Sequence, residues 1–160
     1  MRESKNMKHM GIRVSSSEIR YAILSKNADD SIVFENLNNE HRLKYPTHCT
    51  TVEAKLLWAK QELERIFRQN PEIEQVVLKT SEFGSETKAK RETTYIDAVV
   101  LLVCAEKNIG VVTKLYNQIG TTSKQTLYHA ESRVGRTGKY WNTTMADAIN
   151  CCFWLIRGAK

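Results

Sequence analysis

IEQVVLKT (residues 73–80), SEFGSETKAKRE (81–92) and TTYIDAVVLLVCAE (93–106) form the stretch that decides the fold. The first segment is a short apolar run that starts just after Asn70-Pro71, as a strand covered on both faces does. The third is long and apolar enough for a buried helix. The polar link between them carries Lys88, Lys90 and Arg91, with Lys79 at the end of the strand and Glu82, Glu86 and Glu92 as partial counter-charges. A buried strand that feeds a helix through a charged link is how α/β proteins place function at the carboxyl end of a central strand. An ordinary solvated connection would have the same composition. Along the strand, Val77 and Lys79 should point one way and Val76 and Leu78 the other.

Working outward, VVTKLYN (111–117) reads as a further strand after Asn108-Ile109-Gly110, so strand, helix and strand form a parallel crossover. Upstream, HMGIRVS, EIRYAILSK and SIVFENLN are three short extended runs with tight links, an antiparallel meander. Met10, Ile12 and Val14 share one face of the first strand, and Gly11, Arg13 and Ser15 the other. Asn38 to Thr51 reads as a polar loop. His41, His48 and Cys49 there are metal-ligand residue types, but loop polarity alone accounts for them. A helix follows, with Thr50 and Glu53 as a capping box and Val52, Leu56, Leu63 and Phe67 as its stripe. Thr121–Val134 reads as another helix. VGRTGKYWN (134–142) is a turn-rich link in which Arg136 and Lys139 precede Tyr140 and Trp141. Cations beside aromatics suit a phosphate-and-base surface, and equally an anchor in which Trp141 plugs the core. The last helix, about Thr143 to Ile156, buries Met145, Ile149, Cys152, Phe153 and Ile156. Asp147 lies off that stripe, where an aspartate is usually solvated.

The totals narrow the class. The 160 residues suffice for one compact domain, read as 9–160 behind a flexible tail at 1–8. A net charge of +6, from 24 basic and 18 acidic residues, permits nucleic-acid binding without requiring it. No apolar run is long enough for a bilayer, and MRESKNMKHM lacks the hydrophobic core of a secretory signal, so a cytoplasmic protein without membrane partners is expected. The four cysteines form no CxxC pair, and Cys104 and Cys152 read as small core residues. GRTGK is too short for a phosphate-binding loop and lacks the strand before it. No cofactor or metal is expected.

The order β-β-β-α-β-α-β-α-α resembles the ribonuclease H-like fold, and its detail resembles the RuvC family of Holliday-junction resolvases. GIRVSSSEIRYAIL matches the register of that family's first hairpin. EQVVLKT resembles the strand that carries its second acid, and MADAINCCFWLI its final helix. The resemblance runs from His9 to Ile156 and implies a mixed five-stranded sheet flanked by helices. It also implies four carboxylates, of which one survives. Arg13 stands at the first acidic position, Lys79 at the second and Thr144 at the third, and Asp147 is the remnant. A two-metal phosphodiesterase needs several carboxylate oxygens, and two fixed cations would repel the metals. They would attract a phosphate, or one of them would pair with Asp147. A register two residues different would bring in Glu82 or Glu18 instead.

The resulting expectation is a catalytically inactive RuvC-like domain that binds nucleic acid, DNA before RNA, through Arg13, Lys79, Lys88, Lys90, Arg91, Arg136 and Lys139. The alternatives are a structural or regulatory subunit acting as a homodimer or with a protein partner through Tyr95–Val103 and Phe153-Trp154, and a metal-dependent junction endonuclease with displaced ligands around Asp147.

Overall fold

The structure is a computed structural model that describes residues 7–157. Residues 1–6 of the expected tail lie outside that range, while Lys8 already belongs to the first strand. The strands are β1 (Lys8–Val14), β2 (Glu18–Lys26), β3 (Ile32–Phe34), β4 (Arg42–Lys44), β5 (Ile73–Lys79) and β6 (Gly110–Lys114). The helices are α1 (Val52–Gln69), α2 (Lys88–Glu106), α3 (Thr126–Arg133) and α4 (Thr143–Arg157), with a 3-10 turn at Tyr116–Ile119. The sheet runs β3-β2-β1-β5-β6, and β4 pairs with the other end of β2. β1 is antiparallel to β2 and parallel to β5, which is parallel to β6.

The sheet thus has six strands where five were expected. The added one, β4, lies inside the stretch read as a polar loop; three residues are too few to show an alternating pattern. Helix boundaries also differ. Thr51, not Thr50, caps α1, accepting the Ala54 amide at 3.3 Å. α2 begins at Lys88, five residues before the apolar segment that starts at Thr93, because Thr87 accepts the Lys90 amide at 3.1 Å. α3 begins five residues late, after the 3-10 turn and a polar connection.

Side chains alternate across the sheet as the pleat requires. Met10, Ile12, Ile19, Tyr21, Val76 and Leu78 meet α1 and α2 in the main core. Ala22 packs with Met145, Ala148 and Ile149 of α4, and Val77 with Cys151. Gly11 decides how near α4 comes. A Cβ at residue 11 would stand 2.0 Å from the Ala148 carbonyl oxygen and 2.8 Å from the Cys152 Cβ. Only a residue without a side chain lets the helix backbone lie directly on β1. Gly11→Ala should therefore cost about 1–3 kcal/mol by overpacking, measurable as a lower urea midpoint at unchanged m-value.

Candidate nucleic-acid interface

The parallel register pairs Arg13 of β1 with Lys79 of β5, both at the carboxyl ends of their strands. Both side chains project toward α4, because they follow Gly11 and Val77 by two residues. Arg13 Nε donates to Asp147 Oδ2 at 3.2 Å, and another guanidinium nitrogen donates to the Lys79 carbonyl at 3.2 Å. The structure therefore brings Arg13, Lys79 and Asp147 together. Asp147 is not solvated: it is 1% exposed, because the close β1–α4 contact turns its helix face inward.

Asp147 is fully engaged. Its Oδ1 accepts from the Thr126 hydroxyl at 2.8 Å, and its Oδ2 also accepts from the Tyr116 hydroxyl at 2.9 Å. Burial raises its pKa, against the opposing pull of Thr126, Arg13, Tyr116 and Lys79. The network continues through Asn150, which donates to the Thr126 hydroxyl at 2.9 Å and accepts from Arg133 at 3.3 Å. Lys79 has no exposed surface; its ammonium donates to the Thr80 carbonyl at 2.5 Å and lies 3.8 Å from the centre of the Tyr116 ring. Burial, reinforced by Arg13, lowers its pKa.

The cross-strand register extends this pair into a row. Lys114 of β6 is opposite Lys79, Arg20 of β2 is opposite Arg13, and Arg42 of β4 is opposite Arg20. Five basic residues from five adjoining strands thus lie in line at one end of the sheet. Like charges directly opposite destabilise a sheet, so each needs compensation. Glu18 takes Arg20 at 3.0 Å and Arg42 at 2.6 Å, with Asn142 donating to its other oxygen at 3.2 Å. Tyr140 covers Arg42 at 4.3 Å and Arg20 at 5.8 Å, from a backbone with φ +58° that a bulky residue rarely adopts. Lys114 lies 4.5 Å from the Trp154 ring. Asp147, Glu18 and Glu82 lie near the five cations, and Asp97 feels Arg13 and Lys79 from the other face of the sheet; Glu82 is held by the Tyr116 amide at 3.0 Å.

The remaining expected residues are more scattered. Lys88, Lys90 and Arg91 lie in the first turn of α2 rather than in a loop. Lys90 donates to the Glu82 carbonyl at 3.0 Å, Arg91 forks onto Glu86 at 3.1 and 2.8 Å, and Lys88 is exposed. Arg136 and Lys139 are exposed on the link before α4, with Arg136 5.8 Å from the half-buried Trp141 ring. Thr144 is half-buried in the first turn of α4. Arg20, Arg42 and Lys114 were not singled out from sequence, since their alignment depends on pairing between distant segments. Phe83, 91% exposed on the link after β5, was missed as well.

A divalent metal does not fit this cluster. Among the described residues Asp147 is the one acid beside Arg13 and Lys79 on this face, both its oxygens are committed, and two cations stand beside it. Glu18 is tied to two guanidiniums, and no group of three or more His, Cys, Asp or Glu among the described residues is placed to hold a metal ion. His41, His48 and Cys49 form no such group.

This topology, a mixed sheet with α1 and α2 on one face and α4 on the other, is an α/β fold of the ribonuclease H-like class. Solved structures narrow it to the RuvC-like form. Thermus thermophilus RuvC in complex with Holliday junction substrate superposes with TM-score 0.73 at 13% identity over 96% of this chain and 98% of that one. A second Thermus thermophilus RuvC structure gives TM-score 0.74 at 12% identity, with the same shares covered. The yeast mitochondrial Holliday junction resolvase Ydc2 gives 0.62 at 10% identity, over 98% of this chain and 80% of that one. No protein-family model matches the sequence, and no curated protein matches it. Among the described residues no helix is long and apolar enough to cross a membrane.

Proposed function

We propose that the chain is a RuvC-like domain, a single unit whose expected bounds of 9–160 reach past the described residues at 158–160, that binds a nucleic-acid backbone and does not cleave it. The observation that carries this reading is the row Lys114–Lys79–Arg13–Arg20–Arg42 at the carboxyl end of β5 and β1. A site that gathers carboxylates and metals would hold the substrate phosphate through the metals. This one offers guanidinium and ammonium groups, which attract phosphate directly. Arg13 and Arg42 remain partly exposed, and the buried cations contribute field rather than contact. Lys88, Arg136 and Lys139 extend positive charge to either side, and Phe83 adds an aromatic face. DNA is the favoured ligand, since a similarly folded RuvC was solved with a Holliday junction substrate. A cytoplasmic location agrees with this reading.

Affinity for branched, duplex and single-stranded DNA, titrated at two or more salt concentrations, tests it. The backbone contacts should be independent of sequence, and binding should fall steeply with salt. Arg136→Ala with Lys139→Ala should flatten the salt slope by about 1 per lost phosphate contact. Absence of binding at low salt removes the reading. Cleavage with magnesium or manganese that is lost in Asp147→Asn would replace it with the displaced-ligand nuclease.

A second reading, a homodimeric or partner-bound subunit, is favoured by the outer face of α2. Tyr95 and Leu102 are 44% and 53% exposed there, and Leu57 of α1 is 57% exposed. Phe153 and Trp154 are half-buried and flanked by Arg133, Arg157 and Lys114, so they offer less. A monomeric mass at micromolar concentration, with no partner recovered, would count against this reading.

A further inference from the structure

On the opposite side of the sheet edge from the cation row is a cavity of about 470 Å³ that the backbone reading leaves unused. It lies between the first half of α2, the end of β5 and the link after it. Leu78, Phe83 and Leu101 give it apolar walls, and Asp97 is part of its lining. Asp97 is 6% exposed, and its Oδ1 is buried with no hydrogen-bond partner. A buried carboxylate oxygen without a partner is costly, and natural folds retain few of them. A cleft of this size with apolar walls and a few polar groups, one of them a buried unpartnered carboxylate, is the usual form of a small-ligand site.

Resting on the backbone reading, we infer that this cavity seats one unpaired guanine of a bound strand, held by Asp97. The chemistry selects the base. An ionised carboxylate only accepts hydrogen bonds, so it is best matched by two adjacent N–H donors. Guanine presents such a pair, N1–H and the 2-amino group, on its pairing edge. Cytosine and adenine place an acceptor nitrogen beside their amino group, and thymine sets its one N–H between two carbonyls. The Asp97 χ2 torsion is broad, so the carboxyl can turn either edge toward the cavity. Thr80, which lines the cavity, directly follows Lys79 in the chain, so the cavity and the cation row adjoin across the carboxyl end of β5.

Charged groups around Asp97 set the assay conditions. Arg13 and Lys79 favour its ionised form, while burial lifts its pKa to about 7. Lys90, Glu82 and Glu86 also line the cavity. At pH 8 and low salt, an octanucleotide of thymines with one central guanine should bind about tenfold tighter than the all-thymine octanucleotide. Replacing that guanine by hypoxanthine, which lacks the 2-amino group, should remove most of the gain. Asp97→Asn should abolish the preference while all-thymine binding persists, and Leu101→Trp, which fills the cavity, should do the same. Equal affinity for both oligonucleotides overturns this inference alone. So does a guanine preference that survives both substitutions. No binding of either oligonucleotide overturns this inference, and the backbone reading falls with it where branched and duplex DNA also fail to bind at low salt.

Discussion

Asp147→Ala should lower folding stability by about 3–5 kcal/mol, the usual cost of removing one partner from a buried ion pair. Arg13, with a side chain 18% exposed, would lose the one carboxylate it pairs with among the described residues. The hydroxyls of Tyr116 and Thr126 would lose their acceptor in the same step. Lys79, already disfavoured as a cation by burial, would lose the negative charge that most supports it. Chemical denaturation near pH 7 measures the loss. Adding Arg13→Met should recover part of it, because the paired removal leaves fewer uncompensated charges than the single one. A loss under 1 kcal/mol would mean that the pair is solvated and that the polar network does not tie α4 to the sheet.

Asp97→Asn should act in the opposite direction. The Asp97 carboxyl is pushed up to about 7 by burial, so between an ordinary carboxylate value and that point the folded protein holds a proton that the unfolded chain has released. Stability then falls as pH rises through this window and stays reduced above it. An amide has no such dependence. The variant should match the parent near pH 4 and exceed it at pH 8, by up to about 4 kcal/mol if the whole shift is expressed. Urea midpoints at pH 4, 6 and 8 check this, and parallel curves for the two proteins would contradict it. A carboxylate retained at a cost to stability is the pattern expected of a group kept for binding, which links this measurement to the guanine seat.

The β5–α2 stretch was legible because a doubly covered strand and a buried helix have distinct patterns. The alternation that set Lys79 and Val77 against Val76 and Leu78 follows from strand geometry alone. The fate of Asp147 was not legible. Its place off the apolar stripe looks solvent-facing on an isolated helix, and only Gly11, far away in sequence, brings β1 close enough to bury it. The α2 start was missed because Lys88, Lys90 and Arg91 look like link residues until Thr87 is seen as the cap. The row of cations needs four strand registers at once, and a single sequence does not display pairing between segments many residues apart.

Gly11 also makes the thiols of Cys151 and Cys152 into a clock. Both are fully buried at the seam that the glycine closes, and burial lifts the Cys151 thiol to about 12. Alkylating reagents attack thiolates, so neither sulfur reacts while the helix is seated. The rate at which a small maleimide modifies this pair would time how often α4 lifts from β1. Because Asp147 rides on the same helix, each such event also uncovers Arg13, and a bound polyanion that reached the uncovered guanidinium would quicken the labelling.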